Sequence, residues 1–315
     1  MTEATEATEA TEATEATKAT EATEAIEATE ATEATEATEA TEATAPTITP
    51  FDHAERRIWS GKAEAYADTY ARLCAHLAPA LLDAAEVGPG TRVLDVGCGT
   101  GTVSAAAVAR GASVYAADAD PGMAAATRRA VPGVTPHIAR LPELPYPDDM
   151  FDAAVGNFVL NHVGRPRAAL AELRRITRPG GRVAVTIWRS PGAPGQTLIG
   201  RAAQAAGLTR PTWLPALAPQ DDFPRTPEGL AALLGTAGLL GAESSETAWE
   251  HRCDPDAWWA GAERGIGAIG QVLNSGGAEG RAAARRAYDD LRAEFRTRDG
   301  LLVLPHVALL AHGRA

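Results

Sequence analysis

Between residues 92 and 188, short apolar runs alternate with stretches whose apolar residues recur at helical spacing. RVLDVG, SVYAAD, VTPHIA, FDAAVGNFVL and RVAVTIW are the runs. They are apolar on both faces, as the strands of a sheet covered on both sides must be. TVSAAAVARG ends at Gly111, PGMAAATRRAV carries Pro121 in its first turn, and PRAALAELRRIT stops at Pro179 and the Gly180-Gly181 turn. These read as helices. Strands alternating with helices predict a doubly wound α/β fold, with ligands bound outside the carboxyl ends of the strands. The glycine-rich stretch after the first strand, Asp118, Asn157 and Trp188 all fall at such ends.

The flanks have other rhythms. Residues 63–85 show helical spacing through Tyr66, Tyr70, Leu73, Leu77, Leu81 and Leu82, which predicts a helix there. After 189, a Pro- and Gly-rich stretch with one short helix runs to about 225. EGLAALLGTAGL reads as a helix and SSETAWEHR alternates like an edge strand. Residues 255–298, with Trp258, Trp259, Tyr288 and Phe295, look helical, and PHVALLAHGR closes the chain as a strand. The pieces at 190–225 and 255–298 have no place in the strand–helix repeat. They are expected to cap the site, because aromatic side chains concentrate there and pockets favour them.

Composition changes the picture at the amino terminus. Residues 2–44 are a Thr-Glu-Ala repeat broken only by Lys18 and Ile26. The repeat holds 13 Glu and one Lys, so the rest of the 315-residue chain carries 28 acidic and 28 basic residues and is neutral. Glu at every third position stacks like charges, and the repeat has no apolar face, so residues 1–50 are expected to be a disordered tail. One domain is expected over 51–315: a helical segment at 51–85, a ligand-binding core at 86–188 and the two cap insertions. Its neutrality argues against nucleic acid as a partner and leaves a small molecule. The three cysteines are dispersed, so neither a disulfide framework nor a metal site is expected. No leader-like or membrane-length apolar run occurs, which predicts a cytoplasmic protein with no membrane partner. Nothing in the sequence bears on oligomeric state.

The chemistry sits in VLDVGCGTGT, residues 93–102. Glycines at 97, 99 and 101 allow close approach of a ligand to backbone. The dinucleotide fingerprint is G-x-G-x-x-G, whereas the spacing here is G-x-G-x-G with Thr102 in the last place. Asp95 discriminates further. A carboxylate about 4 Å from a phosphate charge is repelled by about 4 kcal/mol at an effective dielectric near 20, and an ammonium group is attracted by as much. S-adenosylmethionine offers the required cation. Asp118, at the end of the second strand, suits a pair of ribose hydroxyls, and Asp120 suits a helix cap.

VLDVGCGTG resembles the first motif of class I S-adenosylmethionine-dependent methyltransferases. VYAADADPGM resembles the second, LPELPYPDDMFDAAVGNFVLNHV the central segment and ALAELRRITRPGGRVAVTIW the fifth-strand segment. The resemblance covers roughly 59–188 and is strongest to the branch of quinone-biosynthesis and natural-product enzymes. It implies a Rossmann-like sheet of seven strands, mostly parallel, with PHVALLAHGR as the antiparallel last strand. It implies that Asp95, Gly97, Cys98, Gly99 and Gly101 hold the methionine end of the cofactor, with Asp118 on the ribose and Ala119 against the adenine. Arg140 stands where the family often has an acid, so Leu141 is expected to read the adenine. Asn157 and Phe158 match positions that line the cofactor. Trp59 and Tyr66 are expected over the sulfonium, with Trp188, Trp258 and Trp259 toward the acceptor. His162 is the candidate general base. The expected products are a methylated small molecule, at oxygen, nitrogen or carbon, and S-adenosylhomocysteine. Two alternatives stand beside this reading: an NAD-linked oxidoreductase and a non-catalytic module that binds the cofactor.

Overall fold

The computed structural model describes residues 48–315, so the expectation about the repeat lies outside the described residues. The first described helix is Pro50–Trp59, and Thr49 caps it. Thr49 and Asp52 exchange hydrogen bonds as a capping box.

Seven strands form one sheet in the order β3-β2-β1-β4-β5-β7-β6. They are β1 Arg92–Val96, β2 Ser113–Asp118, β3 His137–Ile138, β4 Phe151–Asn157, β5 Thr177–Trp188, β6 Leu240–Cys253 and β7 Leu302–Arg314. β1 to β5 are parallel, and β7 lies antiparallel between β5 and β6. The expected reversal of the last strand is therefore present, and SSETAWEHR lies on an edge strand.

Strand alternation divides the core. Leu94, Val96, Ala154, Val183, Val185 and Ile187 face helices Pro166–Ile176 and Pro227–Thr236. Val93, Ala153, Val155 and Ala184 face helices Ala78–Ala84 and Thr102–Ala109. The second face continues upward into a cluster built from Leu73, Leu77, Phe158, Trp249, Trp258 and Tyr288. The helix expected over 63–85 is broken. Ala63–Asp68 ends where Thr69 takes φ −124°, ψ −80°, and the chain resumes as Ala71–Cys74, a 3-10 turn and Ala78–Ala84. The break brings Tyr66 and Cys74 to the end of β1. Among the described residues no helix is long and apolar enough to cross a membrane.

Candidate functional site

Gly97 and Gly99 carry the turn between β1 and helix Thr102–Ala109. Gly97 has φ +67°, and a Cβ there would lie 2.6 Å from Cγ2 of Val159. Gly99 has φ +55°, and its Cβ position is 3.6 Å from the Tyr66 ring. Left-handed backbone suits glycine at both places. The amides of this turn are already engaged. Gly97 and Cys98 donate to the carbonyl of Ala117 at 2.8 and 3.0 Å, and Gly101 donates to that of Cys98 at 2.9 Å. The Gly99 amide donates to Oδ2 of Asp118 at 2.8 Å.

Asp95 alternates with Leu94 and Val96, so its side chain turns to the face where the following helix presents Ser104. The Ser104 hydroxyl donates to Oδ2 at 2.6 Å. Oδ1 has no hydrogen-bond partner, although the residue is only 1% exposed. Burial pushes the Asp95 carboxyl up to about 7, the Ser104 hydrogen bond opposes this and the charge of Asp118 adds to it. Asp95 lines a cavity of about 290 Å³, counting its open mouth, with Tyr66, Ala71, Cys74, Gly97, Cys98, Gly99, Thr100, Thr102, Val103 and Asn157. A pyrophosphate needs free N–H donors; this turn has spent four of them and presents a carboxylate oxygen short of a donor. The donor set fits the ammonium end of S-adenosylmethionine.

Of the remaining expected cofactor residues, Asn157 lines this cavity, whereas Gly101, Asp118, Ala119, Leu141 and Phe158 do not. Asp118 accepts from Gly99 N with one oxygen and from Asp120 N with the other, at 2.8 and 2.9 Å. Each oxygen keeps a second lone pair, available to a hydroxyl. Burial raises the Asp118 carboxyl, and the two amides counter it. Asp120 caps helix Pro121–Ala130 by accepting from Met123 N at 2.9 Å. Ala119 is exposed, whereas Leu141 is buried in the core. Arg140 is part-exposed, its guanidinium 3.9 Å from Glu143. Gly101 is the N-cap of helix Thr102–Ala109. The Asn157 amide donates to the Cys74 carbonyl at 3.0 Å and accepts from Thr186 Oγ1 at 2.7 Å, which leaves one N–H and one lone pair. It therefore ties the Ala71–Cys74 helix to the sheet. Phe158 takes a left-handed conformation, φ +60°, held by its amide on Thr186 Oγ1 at 2.9 Å. That strain turns the ring onto Trp188, centroids 4.1 Å apart.

His162 lies on the 3-10 turn Val159–His162, not in the cavity lining. Its Nδ1 is 2.8 Å from Oε2 of Glu55, which is buried and which sequence reasoning passed over. Glu55 also accepts from the Trp59 indole at 3.2 Å. The Trp59 indole also lies 3.3 Å from this Nδ1, and in the neutral tautomer with its proton on Nδ1, facing the carboxylate, Nε2 is the acceptor. Trp59 packs edge-on to both Tyr66 and His162, at 5.7 and 5.0 Å. Gly164 N donates to Asp52 Oδ1 at 2.6 Å, so two acids latch helix Pro50–Trp59 onto the loop after β4. Glu55 sits four residues before Trp59, but only the tertiary contact marks it.

The expected acceptor residues divide. Trp188 and Trp258 join one ring cluster through His306, while Trp259 packs on Tyr288 between helices. Trp249 and His251 were also passed over. The alternation in SSETAWEHR places Trp249 and His251 on one strand face, but it does not say which face.

The seven-stranded order and the single reversed strand make up the Rossmann-like, mostly parallel sheet that the motifs led one to expect, with the glycine turn and Asp95 at the end of β1. A family model described as a methyltransferase domain matches residues 94–185. The chain is 44% identical over 108 residues to a demethylmenaquinone methyltransferase of Clavibacter sepedonicus, across 33% of this chain and 44% of that one. It is 42% identical over 109 residues to the enzyme of that name from Mycobacterium tuberculosis H37Rv, across 34% and 45%. The chain spans about half the length of these relatives. The YcgJ protein of Bacillus subtilis shares the fold, with a TM-score of 0.50 and 18% identity over 76% of this chain and 97% of that one.

Proposed function

We propose that the whole chain is an enzyme that binds S-adenosylmethionine at the end of β1 and passes its methyl group to a small molecule. The orphaned Oδ1 of Asp95, beside a turn with its amides engaged, carries this reading. It opposes the NAD-linked alternative, because pyrophosphate meets a carboxylate and few donors there. The bound cofactor supplies a methyl group on a sulfonium, already activated for displacement. The chain's part is alignment and exclusion of water, which account for about 7–11 kcal/mol of a bimolecular barrier.

In this reading Asp95 holds the ammonium, Asp118 the ribose hydroxyls and Leu141 the adenine. Tyr66 and Trp59 lie toward the sulfonium, and His162 Nε2 takes a proton from an acceptor that must lose one. Calorimetry on the full chain is expected to show S-adenosylhomocysteine binding and no heat with NADH; the reverse would sink the proposal. His162→Gln, which retains a donor toward Glu55, is expected to lower kcat about 10²–10⁴-fold with S-adenosylhomocysteine affinity within twofold. Methyl-labelled S-adenosylmethionine incubated with extract of the producing cell, followed by mass spectrometry, identifies the acceptor.

A further inference from the structure

Glu55 is a buried acid on the first described helix, 7% exposed and far in sequence from the glycine turn. Helix Pro50–Trp59 carries Asp52, Glu55 and Trp59 at spacings of three and four, so the three share one stripe. That stripe faces the loop after β4, where Asp52 accepts from Gly164 N and Glu55 meets His162. Ala54 and Ile58, on the neighbouring stripe, are buried with Leu214 and seat the helix. Packing and the Thr49 cap thus deliver Glu55 to His162.

Three atoms meet there in a triangle. Oε2 of Glu55 lies 2.8 Å from His162 Nδ1, the Trp59 indole nitrogen lies 3.2 Å from the same oxygen, and that nitrogen is 3.3 Å from Nδ1. The indole N–H can serve either neighbour, because an imidazole nitrogen without a proton is an acceptor. The carboxylate removes the choice. Ionised, it only accepts, so Nδ1 has to bring the proton, and both donors converge on Oε2. Without the carboxylate the indole keeps one acceptor of this triangle, Nδ1, and the proton belongs on Nε2. Nε2 makes no hydrogen bond among the described residues, and the His162 side chain is 33% exposed. From His162 the ring contacts run through Trp59 to Tyr66, which lines the cavity with Asp95. A charge on His162 also lowers the Asp118 carboxyl.

We infer that Glu55 is a positioning residue of the methyl-transfer site: it holds the His162 proton on Nδ1 against the competing Trp59 indole, and so keeps Nε2 open to a proton from the acceptor. The inference rests on the function proposed above, in which His162 is the base. The proton moves from the acceptor to Nε2 and leaves its electron pair behind for the new bond to the methyl carbon. The ring then carries a positive charge, which Glu55 offsets from Nδ1 until the proton passes to water. Glu55 and Trp59 lie ahead of the family match at residues 94–185, so that match does not carry them.

The test reads the ring itself. The full chain, free of ligand and grown with isotope-labelled histidine, is studied by long-range proton–nitrogen NMR at about pH 8.5, where an ordinary imidazole is neutral. Of the seven histidines, the one whose signals vanish in His162→Gln is His162. In the parent the proton is expected on Nδ1 and the lone pair on Nε2. Glu55→Leu, which fills the space and removes the acceptor, is expected to exchange the two nitrogen signals. Adding Trp59→Phe removes the competing donor and is expected to bring both signals to averaged positions. Label transfer from methyl-labelled S-adenosylmethionine into extract of the producing cell is expected to fall in Glu55→Leu by at least about tenfold and at most about 10⁴-fold, with S-adenosylhomocysteine affinity held. The double variant is expected to recover about three- to tenfold, the size of the hydrogen bond that held the wrong tautomer. A helix that had merely come loose would not be repaired by trimming a second ring. A parent with its proton on Nε2, a folded Glu55→Leu variant that keeps it on Nδ1 or transfers label as the parent does, or no recovery in the double variant would overturn the inference. If Glu55→Leu does not fold, the tautomer of the unaltered chain still decides. No label transfer by the parent would instead strike the function proposed above.

Discussion

At the scale of single residues, Asp95 sets the terms. Its folded carboxyl titrates near 7 against an ordinary value of 3.8, because burial penalises the charge. A folded value raised above the unfolded one contributes stability that is fully present below 3.8 and lost as pH rises through about 7. At about 1.4 kcal/mol per unit, the loss is on the order of 4–5 kcal/mol for the free protein. Asp95→Asn is therefore expected to melt higher than the parent, by a margin that grows between pH 4 and 7 and then levels. Thermal melts of both proteins across that range check it. The same variant is expected to lose at least about tenfold in S-adenosylhomocysteine affinity, the usual trade of stability for function. In the parent, that affinity is expected to fall as pH drops below about 7, because the ammonium then has to displace a proton. Gly97→Ala is expected to cost about 1–3 kcal/mol for its left-handed backbone, and more for the Val159 contact. Adding Val159→Ala should recover only the second part, which denaturant unfolding of single and double variants resolves. The motif made Asp95 and the glycines legible. Ser104, nine residues on from Asp95, and the engaged amides were not, because they depend on how helix and strand meet.

At the scale of elements, the first helix is held by its acids. Asp52 completes the cap with Thr49 and accepts the buried Gly164 amide, while Glu55 accepts from His162 and Trp59. Asp52→Ala removes the cap partner and strands a donor, at an expected cost of about 1–3 kcal/mol. Faster proteolysis and hydrogen exchange within Pro50–Trp59, with the sheet unaffected, is the expected signature; uniform loss of protection would refute a local latch. Element type was readable where periodicity was strong, as in β1, β4, β5 and helix Pro166–Ile176. The break at Thr69 was not, since Ala63–Ala85 keeps helical spacing throughout. Packing of Tyr66 over Gly99 and the Asn157 hydrogen bond to the Cys74 carbonyl fit the broken path, and neither residue pair is near in sequence.

At the scale of the molecule, binding should appear as stabilisation. A ligand present at a hundred times its dissociation constant adds about 2.7 kcal/mol, which for a domain of this size raises Tm by roughly 5–10 °C. S-adenosylhomocysteine is expected to give that shift with the parent and little with Asp95→Asn, and NADH to give none, by differential scanning fluorimetry. The sequence by itself determined the alternating strands and helices, the reversal at the last strand through the family resemblance, and the position of the carboxylate that we propose selects a cation. Those properties live in local periodicity and in a motif of ten residues. Only the tertiary structure decided that Glu55 meets His162, that Trp259 packs inward, and that Trp188, Trp249 and His306 share one face. Strand pairing brings together residues more than a hundred positions apart, and a one-residue change of register would turn each of them to the other side.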